Sequence, residues 1–151
     1  MADDKTTRSG GCMCGAVRFD ARNVPSTYGI CHCPMCRRWT GSALLGVDMK
    51  TEDVTWHGTD NIAVRASSAW AERAWCKTCG TNLYFRHTKR DKWFGYTELP
   101  LGLFDDPGRF TLSHEIYVDQ KPASFAYVGE GHKQLTRADV VAANPDVDDT
   151  A

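Results

Sequence analysis

The stretch Cys31-His32-Cys33-Pro34-Met35-Cys36 places three cysteines within six residues. Cysteines that lie one or two residues apart can turn their sulfur atoms toward one metal ion. Two further pairs flank this stretch, Cys12-Met13-Cys14 on the N-terminal side and Cys76-Lys77-Thr78-Cys79 on the C-terminal side. All seven cysteines of the chain therefore fall into three short groups, and this clustering predicts metal binding.

Composition and the N-terminal segment predict a cytoplasmic protein. The first nine residues are polar and charged, without the apolar segment of a secretory signal, and no apolar run reaches the ~18–20 residues of a membrane-spanning helix. Cytoplasmic thiols stay reduced and an odd number of cysteines cannot pair completely, so disulfides are disfavoured. A formal net charge of -1 over 151 residues gives no basic surface. We expect no nucleic acid and no membrane among the partners.

The identity of the metal and the grouping of its ligands are separate questions. Sulfur-rich ligation in the cytoplasm favours zinc over an iron–sulfur centre. One partition of the cysteines forms a single zinc ribbon from Cys33, Cys36, Cys76 and Cys79. The other forms a closed set of four, Cys12, Cys14, Cys76 and Cys79, and an open set of three, Cys31, Cys33 and Cys36. Three thiolates leave a coordination position for water or substrate. The second partition is preferred because it uses every cysteine.

Short β-type runs separated by Gly, Pro and Asp predict a mainly β fold, as a sandwich or a barrel-like body. The predicted strands cover residues 16–20, 43–47, 54–56, 62–65, 82–86, 93–96, 114–118 and 125–127. Few helices are predicted: one over residues 34–40, with a proline near its first position, and one after the capping-box pattern at Thr136, ending at Asn144-Pro145. Residues 1–9 are expected to form a disordered leader, 10–145 a single domain and 146–151 a flexible acidic tail.

Five motifs, in order along the chain, resemble the glutathione-dependent formaldehyde-activating enzyme family. They are residues 11–19, 31–42, 65–68, 73–83 and 116–122, and the resemblance extends over most of the chain, from about residue 10 to residue 125. It implies a β-tent architecture of short antiparallel strands around two zinc ions per chain. The structural ion would be held by Cys12, Cys14, Cys76 and Cys79, and the more labile catalytic ion by Cys31, Cys33 and Cys36.

The activity that the resemblance implies is a zinc-dependent carbon–sulfur lyase or synthase acting on a thiol–aldehyde adduct of the S-(hydroxymethyl)glutathione type. A small thiol such as glutathione would then be a substrate, with formaldehyde as the aldehyde. Two segments depart from the family pattern: Phe104 lies within Gly102-Leu103-Phe104-Asp105, and Ala123-Ser124-Phe125 follows the Lys-Pro pair. Both departures concern the identity of the substrate more than the fold.

Three residues after the middle cysteines are candidate substrate contacts: Arg37, Thr40 and Ser42. Arginine suits the bidentate recognition of a carboxylate, and the two hydroxyl groups can donate hydrogen bonds, although turn and cap residues of these types need no function. His32 is predicted to point away from the metal, because the residue between two neighbours that face one ion projects to the opposite side. The single histidines are expected at the surface: His57, His87, His114 and His132.

Two other functions compete with the enzyme. The first is a zinc-stabilised binding module without turnover, in which the middle cysteines acquire a fourth protein ligand. The second is a thiol redox or metal sensor, in which Cys31, Cys33 and Cys36 are reactive thiolates. The sequence also leaves open whether the chain forms a homodimer.

Overall fold

A computed structural model describes residues 6–129 and 131–147 of the chain. Its strands are β1 (Arg8–Gly11), β2 (Arg18–Ala21), β3 (Thr27–Cys31), β4 (Leu44–Lys50), β5 (Val54–His57), β6 (Ile62–Ala66), β7 (Ala71–Cys76), β8 (Asn82–His87), β9 (Tyr96–Pro100), β10 (Thr111–Ile116) and β11 (Lys133–Leu135). The helices are α1 (Pro34–Thr40) and α2 (Arg137–Ala143). Short 3-10 turns lie at Thr51–Asp53, Thr59–Asn61, Leu101–Leu103, Pro107–Arg109 and Val118–Gln120. The predicted mainly β fold class with few helices is confirmed.

The strands form two open sheets. One has three strands in the order β1-β2-β5, and the other has eight in the order β11-β10-β3-β4-β9-β8-β7-β6. Of the two predicted forms, a sandwich or a barrel-like body, the open sheets of the described residues agree with the sandwich. Pairing is antiparallel except at β10, which runs parallel to both β3 and β11. This departs from the expected all-antiparallel arrangement, and it is possible because a long stretch of chain separates β3 from β10.

The hydrophobic core lies between the two sheets. Phe19 on β2 packs against Trp56 on β5 and against Phe104, with ring centroids 5.4 Å and 5.2 Å apart. From the large sheet, the β4 side chains of Val47 and Met49 are buried in the same cluster. Because side chains alternate along a strand, the intervening β4 residues project from the opposite face of the large sheet. That opposite face carries the cavity described below.

Both helices lie where the sequence predicts them. In α1 the Cys33 side chain caps the N-terminus by accepting a hydrogen bond from the Cys36 N–H, and Gly41 ends the helix with φ 84°. In α2 the Thr136 and Asp139 side chains form the predicted capping box, and Asn144 is the C-terminal cap. No helix among the described residues has the length and apolar composition needed to cross a membrane.

Several strand predictions differ from the structure. Residues 93–95 form a turn, in which Gly95 has φ 90°, and the strand begins only at Tyr96. Residues 125–127 form no strand. Strands β3 and β7 were not predicted, since a glycine in the first and charged residues in the second mask the alternation of apolar and polar positions.

The predicted ends of the domain also differ. Arg8 and Ser9 belong to β1 and pair with Ala21 and Asp20, so the leader does not extend to residue 9. At the other end, the sequence predicts that Val147 belongs to the flexible tail. In the structure it lines the cavity and donates its N–H to the Asn144 carbonyl. The remaining parts of the predicted leader and tail, residues 1–5 and 148–151, lie outside the described residues.

Candidate metal centres and adjoining cavity

Four cysteines from two distant segments form the first cluster, with all sulfur atoms within 4.8 Å of one another: Cys12, Cys14, Cys76 and Cys79. Cys12 and Cys14 lie in the turn between β1 and β2, and their sulfur atoms are 3.6 Å apart. Cys76 ends β7, and its sulfur lies 3.8 Å from that of Cys14. The cluster therefore joins the small sheet to the large one.

Two tight backbone turns direct the four cysteine side chains of this cluster toward one another. Gly15 and Gly80 follow the two cysteine pairs with φ values of 80° and 78°, where a side chain would add strain. The Val17 N–H donates to Cys12 Sγ at 3.3 Å, and Thr81 Oγ1 lies 3.1 Å from Cys79 Sγ. The hydrogen bond at Thr81 lowers the pKa of the Cys79 thiol to about 5. A metal ligand must be deprotonated, so this environment favours binding.

Three cysteines around the start of α1 form the second cluster, again within 4.8 Å: Cys31, Cys33 and Cys36. Cys31 ends β3, Cys33 caps α1 and Cys36 lies in its first turn. Hydrogen bonds from the other two thiols lower the pKa of Cys33 to about 3, and donating them raises the pKa of Cys31 well above its usual range. Among the described residues, no histidine or carboxylate joins this cluster as a fourth ligand.

The donor atoms fit a thiolate-binding metal. Zinc–sulfur bonds of about 2.3 Å in a tetrahedron place the sulfur atoms about 3.8 Å apart, and the sulfur pairs of the first cluster lie at 3.6 and 3.8 Å. The structure groups the seven cysteines as four and three, which is the second of the two partitions open from the sequence. This arrangement is consistent with two metal sites, one closed and one open.

His32 points away from the cysteines on either side of it, as predicted. Its Nε2 lies 2.7 Å from Oε1 of Glu115, and both side chains are buried. The other carboxylate oxygen of Glu115 lies 2.7 Å from Nε2 of His132. The expectation that His132 is a surface residue was wrong: its side chain is 3% exposed. The buried contacts of Glu115 with the two histidines fix the position of the segment that carries Cys31 and Cys33.

A cavity of about 380 Å³ adjoins the three-cysteine cluster. It lies on the face of the large sheet opposite the core, and α2 covers part of it. Much of its wall is apolar, and this part includes Trp70, Phe85, Trp93, Tyr96, Leu135 and Val140. Its ionisable lining includes Asp48, Arg73, His87, Glu98 and His114. A mostly apolar cleft with a few converging polar groups is the usual form of a small-molecule site.

Arg73 connects this cavity to the three-cysteine cluster. Its Nη2 donates to Cys36 Sγ at 3.8 Å, and its guanidinium lies between the rings of Trp39 and Phe85, 4.8 and 4.7 Å from their centroids. The residue is only 7% exposed, and its Nη1 has no hydrogen-bond partner among the described residues. A buried donor without a partner is costly, so a ligand oxygen in the cavity would satisfy it.

The structure does not bring the three predicted substrate contacts into the cavity. Arg37, Thr40 and Ser42 do not belong to its lining. Thr40 Oγ1 donates to the Cys36 carbonyl at 2.9 Å and accepts from the Ser42 N–H at 3.2 Å, which are interactions of a helix end. Their predicted role therefore gains no support, and Arg73, which sequence reasoning missed, occupies the position expected for Arg37.

Comparisons with known proteins agree with this architecture. The family model described as "Glutathione-dependent formaldehyde-activating enzyme" matches residues 7–120. An uncharacterized lyase of Schizosaccharomyces pombe is 30% identical over 122 residues, which cover 80% of this chain and 85% of that protein. The crystal structure of a Rhodobacter sphaeroides protein superimposes with a TM-score of 0.55 at 20% identity, covering 70% of this chain and 99% of that one, and this likeness concerns the fold alone.

Proposed function

Because this chain belongs to the glutathione-dependent formaldehyde-activating enzyme family, we propose that it is a zinc-dependent carbon–sulfur lyase or synthase. Its reaction joins a thiol to an aldehyde, or reverses that step, with adducts of the S-(hydroxymethyl)glutathione type. The observation that carries the proposal is the open three-cysteine cluster at the wall of a cavity, beside the unpartnered Nη1 of Arg73. The proposal includes a cytoplasmic location, where small thiols are reduced.

The chain would hold two zinc ions. Cys12, Cys14, Cys76 and Cys79 would hold the structural ion, and Cys31, Cys33 and Cys36 the catalytic one. When bound at three thiolates, zinc supplies a positive charge and one free coordination position for a substrate atom. The absence of a fourth protein ligand among the described residues favours an enzyme over a binding module, which would close this site.

Residues of the chain account for the rest of the reaction. Addition of a thiolate sulfur to an aldehyde carbon forms the carbon–sulfur bond and turns the carbonyl oxygen into an alkoxide, which then takes up the proton that the thiol lost. Nη1 of Arg73 is a fixed donor for that oxygen, held by Trp39 and Phe85. A donor that is already oriented stabilises developing charge without reorganisation. The apolar wall of the cavity restricts water around the reacting atoms.

The test combines metal counting with turnover. We expect two zinc ions per chain, and faster exchange between free and glutathione-bound ¹³C-formaldehyde in NMR than in the uncatalysed mixture. Cys33→Ser should lose one ion and the turnover, and Arg73→Met should lower kcat by about 10²-fold, as for loss of one oxyanion donor. Arg38→Met, the same change at an exposed arginine of α1 outside the cavity lining, is the matched control. Full turnover in Cys33→Ser would overturn the proposal.

A further inference from the structure

A row of residues with charged side chains at both ends crosses the floor of the cavity. Arg73 on β7 lies opposite Phe85 on β8, Phe85 lies opposite Glu98 on β9, and Glu98 lies opposite Asp48 on β4. Residues that are directly opposite on neighbouring strands project from the same face of the sheet, and strands are about 4.8 Å apart. The row therefore begins with an arginine beside the three-cysteine cluster and ends, about 10–14 Å away, with two carboxylates.

The two carboxylates have no close cationic partner among the described residues. Their side-chain oxygens take part in no hydrogen bond or close ion pair there, and His87, His114 and Arg73 act on them only at longer range. Like charges directly opposite each other in a sheet are destabilising. Burial, together with the charge of Asp48, raises the pKa of Glu98 to about 8, and desolvation also raises the pKa of Asp48. A cationic ligand group would relieve both effects.

The backbone makes room for this carboxylate pair. A Cβ atom on Gly46 would lie 1.9 Å from Oε1 of Glu98, so only glycine at this position of β4 lets the carboxylate lie flat against the sheet. Glu98 is thereby held inside the cavity instead of extending to solvent. The hydrophobic core lies on the other face of the sheet, so core packing does not account for the position of this carboxylate.

A second, independent feature indicates that the cavity receives a polar ligand. Arg73 is more than nine-tenths buried, it lines the cavity, and its Nη1 is unpartnered among the described residues. One end of the row thus carries a buried donor without a hydrogen-bond partner among the described residues, and the other end carries two carboxylates that lie opposite each other. A molecule that carries an oxygen near its sulfur atom and an ammonium group farther away would satisfy both ends.

We propose that Asp48 and Glu98 form a subsite for the ammonium group of the substrate thiol, so that the enzyme selects amino-bearing thiols. This inference rests on the proposed function and deepens it by naming the class of thiol. The ammonium group lies between the two carboxylates and the sulfur lies at Cys31, Cys33 and Cys36. A cavity of about 380 Å³ is large enough for a molecule of the size of a tripeptide. No covalent step occurs at the subsite.

An ammonium group fits the pair better than a metal ion. Among the described residues, Asp48 and Glu98 do not join with a third nearby carboxylate, histidine or cysteine in a cluster of metal-ligand spacing. An ammonium group needs only acceptors for its hydrogens, and charge-assisted hydrogen bonds to two carboxylates supply them. The two acidic residues are therefore specificity-determining rather than catalytic residues.

The experiment compares two thiols that differ only in the ammonium group. The zinc-loaded full chain is titrated calorimetrically with glutathione and with its deamino analogue, in which hydrogen replaces the amino group. Wild type should bind glutathione at least about tenfold more tightly. The Asp48→Asn/Glu98→Gln double variant should bind both thiols with nearly equal affinity. Asp60→Asn, at an exposed carboxylate outside the cavity, should keep the wild-type ratio.

A proton balance provides a readout that a merely structural role would not affect. Near pH 7 the Glu98 carboxyl is largely protonated, and pairing with an ammonium group lowers its pKa, so glutathione should release up to about one proton more than the deamino analogue. Titrations in buffers of different ionisation enthalpy measure this difference, which should vanish in Glu98→Gln. The other ionisable residues that line the cavity with Glu98 are Cys31, Cys33, Cys36, Asp48, Arg73, Arg86, His87, Lys92, Tyr96, His114 and Tyr117.

The possible outcomes separate this inference from the proposed function. If both thiols bind and react with equal affinity and KM in wild type, or if the double variant keeps the wild-type ratio, the ammonium subsite is wrong and the lyase proposal stands. If neither thiol binds or reacts, both are overturned. The double variant should fold, because each replacement keeps the shape of the side chain and introduces no charge, and its thermal midpoint should be close to that of wild type.

Discussion

At the scale of single residues, Glu115 links three distant parts of the chain. It lies on β10, and its two oxygens face His32, next to the cysteine cluster, and His132, which immediately precedes β11. The hydrogen bonds from the two histidines outweigh the opposing effect of burial and lower the pKa of Glu115. The cysteine-bearing end of β3 is thus fixed by a buried hydrogen-bond network as well as by strand pairing.

Replacing Glu115 should cost much of the stability of the protein. Glu115→Gln leaves two buried histidines with a neutral partner, and we expect the free energy of unfolding to fall by about 3 kcal/mol, as when one partner of a buried ion pair is removed. Glu52→Gln, at an exposed carboxylate, should change it by less than about 0.5 kcal/mol. Urea unfolding at pH 7 measures both, and equal effects of the two variants would contradict the structural role of Glu115.

Sequence reasoning identifies the cysteines but not the arginine beside them. Cysteine spacing is a local property that restricts the possible clusters to two. The sequence predicts Arg37 as a substrate contact because it follows Cys36. One step along a helix, however, rotates the side chain by about 100° away from the cluster. Arg73 reaches the same cluster from β7, 37 positions away, through strand pairing that no local pattern encodes. The burial of His132 depends on long-range pairing in the same way.

At the scale of elements, the face of β4 toward the cavity shows how a strand positions a functional group. Val47 and Met49 fill the core, whereas Asp48 lines the cavity and Gly46, on the same face of the strand, lies against the Glu98 side chain. The alternation of apolar residues predicts the core face of this strand. It does not predict that the other face lines a cavity. A glycine in a strand does not indicate which side chain of a neighbouring strand will lie over it.

Filling the space above β4 should alter substrate selection without unfolding the protein. In Gly46→Ala the new methyl group displaces the end of the Glu98 side chain, which is flexible, so we expect the glutathione-to-deamino affinity ratio to fall severalfold while the thermal midpoint stays within a few degrees. Gly102→Ala, where an added methyl group meets open space, is the control. A Gly46→Ala variant with the wild-type ratio would show that the position of Glu98 does not determine selection.

Helix α2 was predicted from its cap, and its attachment depends on two aspartates. Asp119 accepts a hydrogen bond from the Arg137 N–H, and Asp139 accepts one from the Thr136 N–H. These bonds hold the pKa of each carboxyl below its usual range. Val140, Ala143 and Asn144 of this helix and its cap line the cavity. The same two carboxylates therefore influence how well the cavity is covered.

Acid should release α2 before the core unfolds. Because both pKa values are lowered on folding, the contribution of the two aspartates is complete above the ordinary value of about 4 and is lost as the pH falls through the lower folded-state values. NMR amide shifts of α2 should change in that range while those of β4 do not. Asp139→Ala should produce the same shifts at neutral pH, and Asp60→Asn should not. Simultaneous changes in α2 and β4 would contradict this order.

At the scale of the whole molecule, the two cysteine clusters have different mechanical roles. The four-cysteine cluster connects the turn between β1 and β2 to the end of β7, and so it joins the two sheets that enclose the core. The three-cysteine cluster lies within one short segment around the start of α1. Removal of metal should therefore affect the two sites unequally.

Loss of the closed site should destabilise the whole protein, and loss of the open site should not. Cys14→Ser should lower the thermal midpoint by more than about 10 °C, because structural zinc contributes about 10 kcal/mol or more to folding. Cys33→Ser should lower it by only a few degrees, although we expect each variant to lose one of the two proposed zinc ions in elemental analysis. Equal shifts of the midpoint would contradict the division into a structural and an open site.

The parallel pairing of β10 with β3 also determines the order in which the protein can mature. All seven cysteines and strands β1 to β9 precede β10 in the chain, and chains fold from the N-terminus during synthesis. A metal ion at the four-cysteine cluster would therefore be able to bind on the nascent chain, while the cavity still lacks β10, β11 and α2. We expect the scaffold to take up metal before the cavity is able to take up a ligand.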